Sequence, residues 1–156
     1  MIELPRNCYQ RATALVTNPE HELLVFDHVG DPRPGTQVPA GGIEPGEHPA
    51  AAAVRELAEE SGVTTARLVR KLGETWRVAE VGNVPPGLEE QVHHAFHLHL
   101  DQPTPGASWE WDERGEGDVA LHRFTFRWVD LDEAARVLFP IQAMWIAPLR
   151  SSLAHL

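Results

Sequence analysis

Three acidic residues in one short segment, Glu56, Glu59 and Glu60, stand close enough in the sequence to share one turn of a helix. Like charges at this spacing destabilise a helix by roughly 0.2–0.5 kcal/mol per pair. A segment that breaks a local rule in this way often belongs to a functional site. A hard divalent cation, which binds oxygen ligands, is the natural partner of three such carboxylates. The spacing therefore indicates a metal site.

The same segment carries glycines and further charged residues at fixed intervals. Gly41 is followed after five residues by Glu47, and after seven more by Arg55-Glu56-Leu57-Ala58-Glu59-Glu60-Ser61-Gly62-Val63. This order matches the pattern G-x5-E-x7-R-E-U-x-E-E-x-G-U, in which U is a bulky aliphatic residue. The pattern is the Nudix box, and every fixed position is occupied over residues 41–63. The chain therefore resembles the Nudix hydrolase family.

The resemblance implies hydrolysis of a pyrophosphate bond in a nucleoside diphosphate derivative: a nucleoside triphosphate, a nucleotide sugar or a dinucleotide. It also implies Mg2+ or Mn2+ as the cofactor. The metal ligands carried over by position are Glu47, Glu56, Glu59, Glu60 and a backbone carbonyl of Ala40 or Gly41. The implied catalytic residues are Glu56, Glu59 and Arg55. Glu56 would be a further ligand or the base that activates water, and Arg55 would orient it.

The residue types agree with this chemistry. A pyrophosphate repels an incoming water or hydroxide, and divalent ions neutralise that charge, acidify a bound water and align it for attack on phosphorus. A carboxylate then takes the proton. No Ser/His/Asp or Cys/His arrangement in the sequence suggests a nucleophilic side chain. A solvated acidic helix face, which is the alternative interpretation, explains the complete spacing less well.

Residues outside the box must bind the rest of the substrate. Trp109 and Trp111 offer flat rings on which a nucleobase could stack, and plain packing is the alternative for both. Glu113 and Glu116 are selected among the later acids because a long flexible loop could bring them over a substrate. Solvated surface acids are the alternative for these two residues.

Histidines recur on one face of the segment 91–100, where His93, His97 and His99 alternate with apolar residues. This face is predicted to be exposed or to line a groove, and His97 is a candidate contact for substrate phosphates. A separate zinc site is disfavoured because no second group of ligands has zinc-like spacing.

The element that carries the box is predicted to be a helix. Pro49 suits its first turn, and the helix should run to about Ser61 and stop at Gly62. The residues expected to face a core are Ala50, Ala53, Val54, Leu57 and Ser61. The carboxylates would then lie on the other side of the same helix.

Apolar alternation and turn residues predict the remaining elements. The predicted strands are 11–16, 23–26, 65–72, 75–81, 91–100 and 124–129, with 101–119 irregular. Helices are predicted over 131–138, capped by Asp130, and over 141–153, with a kink or break at Pro148. This mixture predicts an α/β fold, specifically a Nudix-like α/β/α sandwich with a mixed β-sheet between helices.

Composition sets limits on the whole chain. Its 156 residues suit one domain with one core, so 1–156 is predicted to be a single Nudix hydrolase domain. The apolar stretches are too short to cross a bilayer, and no signal peptide is evident, so no membrane partner is expected. The one cysteine fits a reducing, cytoplasmic location.

The net charge of −10 argues against nucleic acid as a partner and favours a small-molecule nucleotide. Two alternatives stay open: a Nudix-like domain that senses a nucleotide without cleaving it, and an RNA-end pyrophosphohydrolase that uses a basic patch at Arg67, Arg70 and Lys71. The intact box favours an enzyme over a sensor. A homodimer is left open as the assembly.

Overall fold

A mixed β-sheet forms the middle layer of the protein in a computed structural model that describes residues 8–80, 82, 84–102, 106–114 and 120–156. The elements along the chain are β1 (Tyr9–Thr17), β2 (Leu23–His28), β3 (Ala40–Gly42), α1 (Pro49–Ser61), β4 (Arg67–Val78), β5 (Glu90–His99), β6 (Ser108–Arg114), β7 (Ala120–Val129), α2 (Leu131–Val137), α3 (Pro140–Ala143) and α4 (Ile146–Ala154). The strand order is β4-β5-β1-β2-β7-β6, and β3 pairs with β1. Strands β1 and β5 are parallel, whereas the other neighbouring pairs are antiparallel.

Helices cover both faces of this sheet, because successive side chains of a strand point to opposite sides. On one face, Ala14 and Val16 of β1 pack with Leu57 of α1. On the other face, Leu15 of β1 packs in a second cluster with Leu149 of α4. The expected α/β sandwich with a mixed sheet between helices is therefore confirmed.

Helix α1 has the predicted ends. Pro49 occupies the first turn, and the His48 side chain accepts a hydrogen bond from the backbone N–H of Ala50 at 3.2 Å. Gly62 ends the helix with a left-handed φ of 78° and donates its N–H to the carbonyl of Ala58. A residue without a side chain adopts this conformation at least cost.

The inward face of α1 differs from the prediction at Val54, Glu60 and Ala52, the last of which is buried without having been expected in the core. Val54, expected in the core, is 40% exposed, and Glu60, expected on the outer side, is only 5% exposed. The buried stripe includes Ala52, Ala53 and Leu57, which pack against the sheet and turn Glu60 inward. One carboxylate of the box is therefore buried.

Two predictions about strands were wrong. The expected strands 65–72 and 75–81 form one continuous strand, β4, whose register against β5 shifts between Leu68 and Arg70 and between Lys71 and Gly73. Such bulges let a long strand bend without ending. The segment 101–119, expected to be irregular, contains β6, which pairs antiparallel with β7. Turn-forming residues flank this strand and obscured it in the sequence, although its Trp109 packs against the core.

The predicted C-terminal helix 141–153 is in fact two helices, α3 and α4. The break lies at Met144 and Trp145 and not at Pro148, as had been expected. Pro148 sits in the first turn of α4, where its missing N–H leaves no helical hydrogen bond unmade. None of the helices in the described part of the chain is long and apolar enough to span a membrane.

The histidine face of β5 is buried, so the prediction of an exposed face was wrong, although His93 at one end of it lines a cleft. Strand β5 lies between β4 and β1, and His93, His97 and His99 are all at most 9% exposed. The histidines tolerate burial because their ring nitrogens find hydrogen-bond partners, as Thr17 shows by contacting both His97 and His99.

Candidate active site

Arg55 of α1 is the centre of the box in three dimensions. Its Nε and Nη2 donate to the two carboxylate oxygens of Glu47, each at 2.8 Å. Nη1 donates to Glu56 at 2.9 Å and to Glu59 at 3.2 Å. Nη2 also donates to the carbonyl of Gly42 at 2.8 Å. One guanidinium therefore holds three carboxylates and the loop that precedes the helix.

These contacts shift the pKa values of the partners. The Arg55 hydrogen bonds, helped by the backbone N–H of Glu44, lower the pKa of Glu47 to about 2. The bonds to Glu47 and Glu56 outweigh partial burial and raise the pKa of Arg55. Both groups are therefore ionised at any physiological pH, and the arrangement is a permanent ion pair.

Gly41 of β3 is required for the close approach of the helix to this strand. A Cβ atom at this position would lie 2.1 Å from the carboxyl carbon of Glu56. Only a residue without a side chain leaves room for that carboxylate. Gly41 of the box therefore allows β3 to pack directly against Glu56.

Glu56 and Glu60 form a partly buried carboxyl pair. Burial raises the pKa of both groups, and for Glu60 the carboxylates of Glu113 and Glu56 raise it further. The interaction between the two groups acts to raise the pKa of Glu60 and to lower that of Glu56, so Glu60 takes up a proton before Glu56 does.

The donor set fits a hard divalent cation. Oε2 of Glu60 is buried and has no hydrogen-bond partner among the described residues. An unpaired buried oxygen is costly, and neighbouring carboxylates suit a cation that prefers oxygen ligands. No described group of three His, Cys, Asp or Glu side chains is already gathered as a metal cluster. Arg55 holds several of the acids instead.

Glu56, Glu59 and Glu60 would hold Mg2+ or Mn2+ in this arrangement. Such an ion, when bound, neutralises phosphate charge and lowers the pKa of water. The side chains themselves supply the rest: Arg55 orients Glu56, and Glu56 is placed to accept a proton because its own pKa is raised by burial.

Strand β6 brings Glu113 to this group. Its pKa is raised mainly by burial and to a smaller extent by the charges of Glu56 and Glu59, while His122 acts in the opposite direction. The charges of Glu56 and Glu59 therefore act on Glu113, and its role in the site stays a prediction. Glu116 lies outside the described residues.

The two tryptophans of β6 mainly pack against the protein. Trp109 stacks on Phe126 with ring centroids 5.3 Å apart, and its Nε1 donates to the carbonyl of Ser61. Trp111 donates to the carbonyl of Glu59 at 3.0 Å, and its ring covers Gly62. Packing therefore accounts for Trp109. Trp111 is 41% exposed and retains a free ring surface.

His97 is not positioned to contact a substrate at the box, which corrects its selection from the sequence. The side chain is fully buried and lies between Thr17 and Ser152, at 2.7 and 2.6 Å from their hydroxyl oxygens. Ser152 belongs to α4, on the opposite face of the sheet from α1. The residue is part of the core.

A cleft of about 900 Å³ is lined in part by Ala40, which precedes Gly41 in β3. Its lining includes His93, one of the histidines predicted to lie on an exposed or groove-lining face, together with Arg11 and Arg77, which the sequence did not single out. These residues come from three different strands that are distant in sequence. In the sequence, Arg11 and Arg77 lie within two predicted strands. Only the order of the strands in the sheet shows that these two strands bring both arginines to one cleft.

The fold and the site together define a class of protein. An α/β sandwich presents one carboxylate-bearing helix, held by an arginine, against a glycine-containing strand. The NUDIX domain family model matches residues 9–149. The chain belongs to the NUDIX domain family, and Nudix hydrolases generally use divalent metal ions.

Individual relatives agree with this assignment. "Nudix hydrolase 25" of Arabidopsis thaliana is 43% identical over 96 residues, which cover 62% of this chain but only 52% of that protein. An RNA pyrophosphohydrolase of Cereibacter sphaeroides strain ATCC 17029 is 39% identical over 135 residues, covering 82% of this chain and 79% of the relative.

The solved structures show the same fold. The E. coli dihydroneopterin triphosphate pyrophosphohydrolase superposes with a TM-score of 0.68 at 18% identity, over 89% of this chain and 94% of that one. These findings confirm the resemblance and the expected class, a Nudix-type hydrolase.

Proposed function

We propose that the protein hydrolyses a pyrophosphate bond in a nucleoside diphosphate derivative, in a reaction that requires Mg2+ or Mn2+. One observation carries the proposal: in the complete box, Glu60 keeps a buried carboxylate oxygen without a hydrogen-bond partner among the described residues, and Glu56 lies against Gly41, whose missing side chain leaves room for that carboxylate. A solvated acidic helix face would need none of these features.

The roles assigned to the side chains follow from their surroundings. Glu59 and Glu60 are the principal metal ligands, with Glu47 and a carbonyl of Ala40 or Gly41 as further oxygen donors. Glu56 or Glu113 takes the proton from the attacking water, because both have a raised pKa and can release and accept a proton more readily near neutral pH. Arg55 orients Glu56 and keeps Glu47 ionised.

A second candidate function is removal of pyrophosphate from the 5′ end of RNA. The relative from Cereibacter sphaeroides that matches over most of this chain carries the name RNA pyrophosphohydrolase. Against it stands the net charge of −10, since a long polyanion would be repelled outside any local basic patch. A small nucleotide is therefore the preferred substrate.

The experiment is a hydrolysis assay on a substrate panel with Mg2+, Mn2+ or EDTA. The panel contains nucleoside triphosphates, nucleotide sugars, dinucleoside polyphosphates and a 5′-triphosphate RNA oligonucleotide. We expect turnover that EDTA abolishes, and a fall of at least about 100-fold in kcat for the double variant Glu59→Gln, Glu60→Gln. Glu20→Gln, which changes an exposed turn residue, is the matched control.

The outcomes separate the candidates. Turnover that is unchanged in the double variant would exclude the box as the catalytic centre. Binding of a nucleotide without turnover of any substrate would support the sensor interpretation. The cytoplasmic location, the single domain over 1–156 and the homodimer remain predictions.

A further inference from the structure

The cleft beside Ala40 has an unusual charge for this protein. The chain carries a net charge of −10, yet two arginines, Arg11 and Arg77, line this one cleft. Glu80, an exposed residue, is the acidic side chain among the described lining residues. The cleft therefore presents excess positive charge in an acidic molecule.

The sheet register places the two guanidinium groups around one histidine. Arg11 of β1 is paired with His93 of β5, and Arg77 of β4 is paired with Gln91, two residues from that histidine on the same face. Burial, then Arg11 and Arg77, lower the pKa of His93 to about 4. His93 is therefore neutral at pH 7, and the positive charge belongs to the two arginines.

Neither arginine is neutralised by the described part of the protein. Both side chains are half-buried, and neither forms an ion pair with a carboxylate among the described residues. Arg33, Arg67 and Arg123 on the surface have acidic partners. Arg70 forms no ion pair with a described residue either, but it is exposed to water, whereas Arg11 and Arg77 are half-buried. Partly desolvated cations without counter-charges are costly, which is typical of a site whose anion is a ligand.

The opposite wall of the cleft is held in place by the C-terminal elements. Gln142 of α3 accepts a hydrogen bond from the backbone N–H of Val38 at 2.9 Å, which ties this wall to the segment that leads into β3. Phe139 and Ile141 add apolar surface next to it. The cleft thus combines an apolar side, a cationic side and an end at Ala40 of β3, whose neighbour Gly41 lies against Glu56 of the box.

We propose that Arg11 and Arg77 bind a phosphate group of the substrate that lies beyond the cleaved anhydride, so that they select substrates with a triphosphate chain. This inference rests on the proposed function, because one substrate must extend from the cleft past Ala40 to the box. An arginine fork matches phosphate oxygens with paired, charge-assisted hydrogen bonds. A nucleotide sugar places a neutral group where this phosphate would lie.

A binding experiment tests the arginines without depending on turnover. Metal-free protein in EDTA is titrated with inorganic triphosphate in a calorimeter, for the wild type, Arg11→Gln, Arg77→Gln and Arg70→Gln. Arg70 is an exposed arginine of the same strand, β4, that does not line the cleft. We expect affinity to fall about 10- to 100-fold in the two cleft variants and to stay within about twofold in Arg70→Gln. Thermal melting checks that each variant is folded. Arg77→Lys, which keeps the positive charge, is included as the conservative variant.

Steady-state kinetics then tests selectivity in the presence of Mg2+. Arg77→Gln should lower kcat/KM about 10- to 100-fold for a nucleoside triphosphate and change it little for a nucleotide sugar. A nucleoside triphosphate and a 5′-triphosphate RNA oligonucleotide are compared because both carry a triphosphate group. A preference for either one supports the inference and identifies which molecule supplies that group.

Two results distinguish failure of this inference from failure of the proposed function. Equal affinity for triphosphate in the folded wild type and both cleft variants would overturn the role of the arginines, even in an active enzyme. Arginine-dependent binding of triphosphate without any hydrolysis would leave that role standing and refute the proposed reaction.

Discussion

At the scale of single residues, Arg55 explains why the box needs an arginine. A guanidinium has five N–H donors in a planar fork. Its five hydrogen bonds go to Glu47, Glu56, Glu59 and the carbonyl of Gly42. The fork offsets the repulsion between the acids, and it also holds Gly42 at the end of β3. A lysine has three donors on a flexible stem and cannot match this geometry.

We therefore expect Arg55→Lys to keep the charge but lose the arrangement. Its kcat should fall about 10- to 100-fold, the usual effect of losing a group that orients a ligand. Kinetics with Mg2+ and thermal melting measure the change. Arg33→Lys is the control, because Arg33 pairs with Asp31 on the surface. Full activity in Arg55→Lys would show that only the charge matters.

Gly41→Ala tests the packing of β3 against Glu56. The added methyl group would sit 2.1 Å from the Glu56 carboxyl carbon, so either the strand or the carboxylate must move. We expect a loss of at least about 100-fold in kcat, since small misplacements of catalytic groups have effects of this size. Gly46→Ala serves as the control because nothing lies within 4 Å of its added Cβ.

The positive φ of 76° at Gly46 makes that control informative about stability as well. Alanine there should cost about 1 kcal/mol of unfolding free energy and leave kcat unchanged. An active Gly41→Ala variant would contradict the packing argument.

At the scale of elements, the features that could be predicted are those set by residues within one helical turn of each other. The ends of α1 were predictable because Pro49 and Gly62 act on the backbone within one turn. Its buried face was shifted, since the sheet decided that Glu60 points inward and Val54 outward. Strand β6 was missed because the turn-forming residues that flank it dominate the local composition.

Trp111 links β6 to the end of α1, and its removal should separate stability from substrate binding. Trp111→Ala loses a hydrogen bond to Glu59 and the ring over Gly62, so we expect a loss of about 1–2 kcal/mol of unfolding free energy. Trp111→Phe should recover part of it. Urea denaturation measures both variants.

The same variants decide whether Trp111 stacks on a nucleobase. KM values near wild type in Trp111→Ala would limit its role to packing. A KM that rises about tenfold or more in Trp111→Ala and returns in Trp111→Phe would instead identify stacking, which is worth about 1–3 kcal/mol per base.

At the scale of the whole molecule, strand order decides what the sequence leaves open. Arg11 and Arg77 are far apart in the chain and meet only because β5 lies between β1 and β4. No local pattern encodes that neighbourhood. The same central position buries both faces of β5, so His97 becomes a core residue that is joined to α4 through Ser152. Periodicity had predicted an exposed or groove-lining face, and of the three histidines only His93 lines a cleft in the described part of the chain.

This buried histidine network should make stability depend on pH. Burial, then the charges of His99 and Arg70, lower the pKa of His97 from 6.5 to about 4. A group with a lowered pKa in the folded state stabilises the fold fully above pH 6.5, and this contribution is lost as pH falls through 4. Between pH 7.5 and 5 the loss from His97 alone should be about 2 kcal/mol.

Urea denaturation at pH 7.5 and pH 5 measures this linkage. His97→Gln keeps hydrogen-bonding capacity toward Thr17 and Ser152 but cannot take up a proton, so its decrease in unfolding free energy should be smaller by about 2 kcal/mol. His155→Gln, at an exposed C-terminal position, should follow the wild type. The other buried histidines contribute equally to all three proteins and cancel. Parallel pH dependences for His97→Gln and the wild type would mean that this histidine does not couple protonation to the attachment of α4.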